Sequence, residues 1–341
     1  MSLPITVVVG LDRASAQHAA MQLLGSGPGA RLIQHCLDQL GVGLVSRTVT
    51  TGSGSVEGAL IDAVLGCAPC TVLDDLLPCL RTLAADPAVD AAVLLLPEAA
   101  DPIGFLESFF RARDRAGRAT ADYCHIETMV AVVDAAALVP RLAGDELLSQ
   151  LGIAAGPQHD RSAAETLLAG VESADVIVAA GATDQEQALL RLLNPDAVVV
   201  ERAAGCLRNE FDFQRTVSRT IAGHLPAQAT DTVLAGAWRI QWRSSRPLHP
   251  QRLRETLTDI ADIALRGRGY VRLADRPATV TEWDSIDGAL RLESPADPHA
   301  GTDSALCFIG VSERWHVIHD RLNDAELADD ELPHGTEEES R

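Results

Sequence analysis

The 341-residue chain contains no lysine, so all 28 of its basic residues are arginine. Aromatic residues are scarce at 4%, and the longest apolar runs, such as residues 91–96, have the length of a strand and are too short to cross a bilayer. The missing lysine matters after the first predicted strand, residues 5–9, because a phosphate-binding loop at such a place uses a lysine to reach the β- and γ-phosphates. Arginine replaces it poorly, since its planar fork is bulkier than an ammonium.

The segment that follows this strand reads Gly10-Leu-Asp-Arg-Ala-Ser-Ala-Gln17. A working P-loop has the form G-x-x-x-x-G-K-[ST], in which the second glycine lets the backbone curl around the phosphates and the hydroxyl holds Mg²⁺. Ser15, Ala16 and Gln17 stand at those three positions. The sequence therefore predicts a degenerate P-loop that keeps only Gly10.

Composition narrows the class of protein and its partners. Hydrophobic residues make up 47% of the chain and charged residues 22%, as expected of a globular protein. The net charge of −20 opposes DNA binding and a broad RNA contact, because such contacts depend on neutralised phosphates. With no basic, apolar leader and an odd count of seven cysteines, we expect a cytoplasmic protein without a disulfide framework or a membrane partner.

Short apolar runs alternate with helical patterns in the first two thirds of the chain. The predicted strands are residues 5–9, 92–96, 128–133, 176–180 and 197–200, and the predicted helices are residues 14–24, 73–84, 104–112, 163–172 and 184–193. This alternation predicts an α/β fold with a mostly parallel sheet and helices on both faces.

The last third reads as a small α+β domain. It has predicted strands at residues 238–243, 270–273, 278–283, 289–292 and 306–311, and helices at 251–265 and 313–323, with Gly267 and Gly269 ending the first of these helices. We therefore expect an N-terminal domain over residues 1–223, a linker over 224–236, a C-terminal domain over 237–332 and an acidic disordered tail over 333–341.

Four segments in order resemble the CobW family of GTPase-fold proteins linked to metal delivery. They are Gly66-Cys-Ala-Pro-Cys-Thr-Val-Leu-Asp-Asp-Leu-Leu-Pro78; Pro97-Glu-Ala-Ala-Asp-Pro102; Ala174-Asp-Val-Ile-Val178 with Leu192-Leu-Asn-Pro195; and Arg246-Pro-Leu-His-Pro250 with Arg266-Gly-Arg-Gly-Tyr270 and Cys307-Phe-Ile-Gly310. The resemblance runs over residues 4–332. It implies a P-loop NTPase-like first domain followed by a CobW C-terminal domain.

The departures from this family concern nucleotide chemistry. Besides the P-loop, the acidic residue that opens the family's Glu-Thr-Ser-Gly-like motif aligns with Leu95. The base-reading Asn-Lys-x-Asp motif falls on Ala180-Gly-Ala-Thr183, with Asp184 one place late. We interpret the first domain as a pseudo-GTPase that is not an enzyme and for which GTP is not a cofactor. The alternative is a rearranged site that binds nucleotide weakly.

This pattern of losses looks like one branch of the family, the factors that recruit the hibernation factor Protein Y to the small ribosomal subunit in mycobacteria. The resemblance implies a zinc-responsive adaptor in ribosome hibernation under zinc limitation, with the ribosome small subunit or a hibernation factor as its partner. The runner-up is a zinc-binding, metallochaperone-like protein with residual GTP binding, and a GTPase with an unconventional site comes third.

Cys67-x-x-Cys70 is the best candidate for chemistry, because two thiolates at this spacing can bind one Zn²⁺. We predict a labile zinc site there, completed by two residues from a set that the sequence cannot narrow further: His18, His35, Cys36 and Cys79. The alternatives are two small buried cysteines or a redox pair.

For each of the other candidate functional residues, an ordinary structural role is the alternative. Arginines crowd the start of the second domain beside Trp238, Trp242 and Tyr270, and Arg243, Arg246 and Arg268 are the predicted partner-binding residues; the alternative is a set of solvated, ion-paired faces. The remaining members are Arg239, Arg252, Arg254, Arg266, Arg272 and Arg276. His316 and His319 are expected on a helix face rather than at a metal, His249 as a hydrogen-bonding residue of a turn, and Asp74 and Asp75 as charges at a helix N-terminus.

Overall fold

The structure is a computed structural model. It describes residues 2–63, 68–114, 116–153, 160–205, 211–220, 231–276, 279–286, 288–294 and 303–332. The chain divides into two compact units, Met1–Ile221 and Ala222–Arg341. The predicted tail over residues 333–341 and most of the predicted linker lie outside the described residues.

The first unit is built on a mostly parallel sheet. Its strands are β1 (Leu3–Val9), β2 (Ala30–Cys36), β3 (Leu44–Thr51), β4 (Val56–Asp62), β5 (Ala91–Leu95), β6 (Cys124–Val132), β7 (Val176–Val178) and β8 (Val198–Val200). They lie side by side in the order β4-β3-β2-β5-β1-β6-β7-β8. The strands from β2 to β8 in this order are parallel, and β3 and β4 extend the sheet as an antiparallel hairpin.

Helices cover both faces of this sheet. They are α1 (Arg13–Leu24), α2 (Ala68–Ala85), α3 (Pro102–Arg111), α4 (Ala135–Leu142), α5 (Ala163–Ser173), α6 (Asp184–Leu193) and α7 (Phe213–Thr220), with single 3-10 turns at Leu40–Val42, Thr120–Asp122 and Leu148–Leu151. Successive residues of β2 show the two faces, because His35 contacts Asp75 of α2 while Cys36 contacts Arg13 of α1. The predicted α/β fold with a mostly parallel sheet is confirmed.

The sequence missed the strands β2, β3 and β4. Their residues alternate polar and apolar side chains with many threonines, and β4 is mostly exposed, so no buried apolar run marks them. The helix α2 also starts five residues before the predicted position 73. Asp74 and Asp75 therefore lie in its interior and not in its first turn, which corrects their interpretation as N-terminal charges.

The second unit is an antiparallel sheet with two helices. The sheet contains β9 (Thr232–Leu234), β10 (Ala237–Ser244), β11 (Arg266–Arg272), β12 (Val280–Ile286), β13 (Ala289–Glu293) and β14 (Ser304–Gly310), in the order β13-β12-β11-β14-β10-β9. The helices α8 (Pro250–Ala261) and α9 (His316–Ala325) contribute to one apolar core with Trp238, Trp283 and Phe308.

Gly267 and Gly269 lie within β11, and they do not end a helix as predicted. A Cβ on Gly267 would come within 2.8 Å of the Phe308 ring, so this position allows no side chain. Gly269 has a φ of +138°, a conformation that favours glycine. Close packing inside a strand therefore explains both glycines.

Candidate functional site

The turn between β1 and α1 is short, and a carboxylate of the chain caps the helix that follows it. β1 ends at Val9 and α1 begins at Arg13, so only Gly10, Leu11 and Asp12 connect them. Asp12 is the N-cap of α1, and its Oδ2 accepts a hydrogen bond of 2.8 Å from the backbone N–H of Ser15. The free N–H groups of a helix N-terminus are what binds a phosphate in a P-loop protein. Here a carboxylate of the chain occupies that place with its own negative charge.

The three positions predicted to replace the P-loop residues face different ways. Ala16 is buried at 1% exposure in the core between α1 and the sheet, where it packs with Val8 and Val130. Ser15 and Gln17 are exposed on the outer side of the helix. Gly10 is tightly packed, since a Cβ there would lie 2.9 Å from the carbonyl oxygen of Val132. A longer side chain at position 16 would have to enter the apolar core.

Arg13 is the cation nearest the turn, and carboxylates of the protein already neutralise it. Its Nη1 lies 2.8 Å from Asp38 Oδ1 and its Nε 3.2 Å from Glu98 Oε1, while its Nη2 donates to Cys36 Sγ at 2.5 Å. Partial burial alone would lower the pKa of Arg13, but the bond to Asp38 and the charge of Glu98 hold this pKa above its usual value. The Cys36 thiol and the Arg13 guanidinium hold the pKa of Asp38 below its usual value.

A cavity of about 390 Å³ opens at this carboxyl edge of the sheet, the edge where open α/β sheets bind ligands. Asp12, Arg13, Glu98, Asp134 and Arg141 line it with several apolar side chains. Asp134 caps α4 by accepting from the N–H of Ala136 at 3.2 Å, and Arg141 pairs with Glu146. Three carboxylates against two guanidiniums leave one net negative charge in the lining, which disfavours a polyphosphate.

The segment predicted to replace the base-reading motif forms the N-terminus of α6. Thr183 is the N-cap of α6, and Glu186 closes a capping box with it. Gly181 has a φ of +69° and donates its N–H to Glu201 Oε2 at 3.1 Å. Leu95 is buried at 4% exposure inside β5. These residues are thus engaged in local structure.

Cys70 lies in the first turn of α2, on its exposed side. The structure records it as disulfide-bonded, and its predicted partner in metal binding, Cys67, lies outside the described residues. Cys70 also lines an apolar cavity of about 360 Å³ with Leu37, Leu96 and Phe105. Among the residues that the structure describes, no group of three or more His, Cys, Asp or Glu side chains is placed to hold a metal ion.

Three of the four proposed completing ligands have other contacts. Cys36 contacts Arg13, His18 lies 2.8 Å from Gln22 Nε2, and His35 Nε2 lies 2.8 Å from Asp75 Oδ2. Burial lowers the pKa of His35, only partly offset by Asp75, and raises the pKa of the Cys79 thiol. Within the described residues His35 Nδ1 is buried without a hydrogen-bond partner. A neutral imidazole is therefore the form that this site favours.

The arginines of the second unit do not form one basic, aromatic surface. Trp238 and Trp242 are buried in the core, at 1% and 3% exposure. Arg246 pairs with Asp329, and further ion pairs join Arg252 to Glu331 and Arg266 to Asp284. Of the three predicted partner-binding residues, Arg268 is buried at 6% exposure in β11, Arg246 is engaged as described, and Arg243 is exposed on β10. For Arg246, Arg252 and Arg266 the structure agrees with the alternative of ion-paired faces.

The three candidate histidines of the second unit lie on or next to its two helices. His249 is the N-cap of α8, and its Nδ1 accepts from the N–H groups of Gln251 and Arg252 at 3.2 and 3.4 Å, as its interpretation as a hydrogen-bonding turn residue predicted. His316 and His319 both lie on α9. His319 Nε2 is 4.0 Å from Asp231 Oδ2.

Sequence reasoning missed the roles of Arg13, Glu98 and Asp134. Glu98 was visible as part of the second family-like segment, but its pairing with Arg13 depends on β5 lying next to β1. The capping role of Asp12 could have been predicted, because an Asp just before a helical pattern is a common N-cap. Its side chain then accepts from the backbone N–H three residues later, here that of Ser15.

Two segments of the chain match models of known protein families. Residues 45–198 match the family model described as "CobW/HypB/UreG, nucleotide-binding domain", and residues 238–326 match "Cobalamin synthesis protein cobW C-terminal domain". The chain thus carries a CobW-type nucleotide-binding domain followed by a CobW C-terminal domain.

Several relatives have names that refer to zinc. The chain is 27% identical over 305 residues to "Zinc chaperone Rv0106" of Mycobacterium tuberculosis, covering 86% of this chain and 73% of the relative. It is 22% identical over 314 residues to "Zinc-regulated GTPase metalloprotein activator 1" of Dictyostelium discoideum, covering 83% of this chain and 65% of the relative. The crystal structure of Zn(II)-bound YjiA GTPase from E. coli is 14% identical, with 96% of this chain and 100% of that chain covered and a TM-score of 0.35. The names of the first two relatives support a zinc-related role of the CobW type.

No helix among the described residues is long and apolar enough to cross a membrane.

Proposed function

We propose that this protein is a zinc-responsive pseudo-GTPase, which binds zinc through Cys67 and Cys70 and acts by contact with other proteins without hydrolysing GTP. The observation that carries the proposal is the carboxylate of Asp12 at the N-terminus of α1. It stands where a phosphate would bind, next to an arginine that two other carboxylates neutralise. The relatives named for zinc support the metal part of the proposal.

Nucleotide binding is tested by calorimetric titration with GTP and Mg²⁺. We expect no binding at micromolar concentrations, because the carboxylate of Asp12 lies at the N-terminus of α1 and the nearest cation, Arg13, is paired with Asp38 and Glu98. Asp12→Ala should still bind no GTP and should lose about 1 kcal/mol of the free energy of unfolding with the helix cap, whereas Asp12→Ser should keep most of it. Micromolar or tighter binding by the unmodified protein contradicts this part of the proposal.

Zinc binding should depend on the redox state of Cys70. A disulfide-bonded cysteine has no thiolate, and the thiolate is the form that binds Zn²⁺. We expect a zinc titration to show binding after reduction with a phosphine and none without it, and Cys70→Ser to abolish the binding. Cys124→Ser is the matched control, since Cys124 is a free cysteine of the same unit that is not among the proposed ligands. Equal zinc affinity of Cys70→Ser and the unmodified protein overturns the assignment.

At the level of the partner, we propose an adaptor in ribosome hibernation under zinc limitation, as the family resemblance implies. The exposed Arg243 offers a local contact that a chain of net charge −20 can make with a few phosphates. Pelleting with ribosomes from zinc-starved cells, with and without the hibernation factor, tests it, and Arg243→Glu should weaken a direct contact. No pelleting under either condition ends the adaptor proposal.

A zinc chaperone is the second candidate, favoured by the relative of that name and by the exposed position of Cys70. Transfer of zinc from the loaded protein to a zinc-free enzyme would support it. The two candidates share the zinc site and differ in what the loaded protein delivers.

A further inference from the structure

The edge strand β4 is exposed and carries apolar side chains. Val56 and Leu60 are exposed at 60% and 68%, and three of the remaining five residues of β4, Glu57, Gly58 and Asp62, are exposed as well. β4 is the last strand of its sheet, so one of its sides has no neighbouring strand among the described residues. Exposed edges of this kind are templates for pairing with another strand.

The outward backbone groups of β4 belong to the same residues as the exposed apolar side chains. In the hairpin with β3, Ala63 donates its N–H to the carbonyl of Gly43, and the carbonyl of Ser55 accepts from Thr51. Because bonded and non-bonded positions alternate along an antiparallel pair, the odd-numbered residues of β4 bond to β3. The even-numbered residues Val56, Gly58, Leu60 and Asp62 therefore direct their N–H and C=O groups away from the sheet.

We propose that β4 pairs antiparallel with β4 of a second copy of this chain, about a two-fold axis at Gly58. In this register Val56 of each copy lies opposite Leu60 of the other, and both apolar pairs fall on the same face. The outward groups of the even-numbered residues face each other, so they hydrogen-bond across the axis. A register shifted by two residues would set Val56 opposite Asp62. This register loses the apolar pairs and buries a carboxylate. The second copy joins the two sheets into one.

The other sheet edges are less suited to this pairing. β8 and β9 have three residues each, and β13 carries the charged residues Arg291 and Glu293. β4 has seven residues, with neither lysine nor arginine nor proline among them. Native edge strands are usually protected by short length, basic residues or proline, and β4 has none of these.

The interface is small and the two copies repel each other through their net charges of −20. On the opposite face Glu57 of one copy is a diagonal neighbour of Glu57 of the other. The dimer is therefore weak, in the range of transient assemblies. Added salt should strengthen it, because salt screens repulsion between exposed charges.

Sedimentation velocity over a range of concentrations tests the pairing in the full chain. We expect the unmodified protein to pass from monomer to dimer as its concentration rises, and at lower concentration in higher salt. Leu60→Lys should remain a monomer throughout, because it sets a charge opposite Val56 of the other copy on both sides of the axis. Val233→Lys is the matched control: it places the same charge at a 60% exposed valine on the edge strand β9 and should dimerise as the unmodified protein does.

A cross-linking experiment tests the register separately. Residues that exchange hydrogen bonds across an antiparallel pair have Cα atoms about 5.5 Å apart, within the range of a disulfide. Under mild oxidation Gly58→Cys should give a covalent dimer, and Val56→Cys should do so only when mixed with Leu60→Cys. A protein that stays monomeric at every concentration and salt, a Leu60→Lys variant that dimerises like the unmodified protein, or loss of the dimer in Val233→Lys would each overturn the proposal.

Discussion

At the residue scale, the clearest difference from a working nucleotide site is what replaces the charge of the phosphate. Asp12 satisfies an N–H at the start of α1, and Arg13 is held by Asp38 and Glu98. The absence of lysine predicts that the phosphate contact is lost, and this prediction follows from residue type alone. The occupation of the site by the protein's own carboxylates could not be predicted, since Asp38 and Glu98 reach Arg13 only through the neighbouring strands β2 and β5.

His35 should make the stability of the first unit sensitive to acid. Burial lowers its pKa in the folded state below the usual 6.5, so below that pH the unfolded chain binds a proton that the folded chain does not. The free energy of unfolding should then fall as the pH is lowered through this window, by at most about 1.4 kcal/mol per pH unit. His35→Gln should remove this part of the pH dependence.

The exposed His18 gives the control for this measurement, because His18→Gln removes an imidazole from the same unit without changing a buried site. Urea denaturation at a series of pH values, followed by circular dichroism, compares the three proteins. The expectation fails if His35→Gln and the unmodified protein lose stability in parallel as the pH falls.

At the element scale, the sequence predicted buried parallel strands well and exposed antiparallel strands poorly. β5, β7 and the second half of β6 are continuous apolar runs, and β1 is interrupted only by Thr6; such runs mark strands that are covered on both faces. β3 and β4 lack such runs, and Gly52-Ser-Gly54 between them is the only local sign of a hairpin in this stretch. The error had a consequence for function, because the self-pairing proposed for β4 rests on an element that the sequence did not predict.

The candidate zinc site also depends on an element whose start the sequence did not predict, the helix α2. The helix begins at Ala68, so Cys70 belongs to its first turn and not to a loop before it. The spacing of Cys67 and Cys70 was readable from the sequence, but the cavity of Leu37, Leu96 and Phe105 beside Cys70 depends on β5 and α3. A ligand set for zinc cannot be predicted from spacing when its members come from different elements.

At the scale of the whole molecule, each unit has its own core. The core of the second unit is formed by residues from Trp238 to Ala325, and it contains all four tryptophans of the chain or has them packed against it: Trp238, Trp242, Trp283 and Trp315. Tryptophan fluorescence therefore reports the second unit only, whereas the helices of the first unit dominate the circular dichroism. The two signals can follow the two units separately.

Asn194→Ala should destabilise the first unit and leave the second unchanged. Asn194 is 1% exposed, and its Nδ2 donates to the carbonyls of Val171 and Ala174 at 2.7 and 2.9 Å, where α5 ends. Its removal leaves buried carbonyls unpaired, at a cost of about 1–3 kcal/mol. In guanidinium denaturation we expect the transition seen by circular dichroism to move to lower denaturant, while the fluorescence transition keeps its midpoint.

The reciprocal variant is Asn323→Ala in α9, which removes the 2.8 Å acceptor of the Trp242 indole N–H. Because Asn323 is exposed and water can replace it, we expect a smaller shift, confined to the fluorescence transition. If either variant moves both transitions by the same amount, the two units unfold as one cooperative body, and the cores are not independent in stability although each is complete in its own residues.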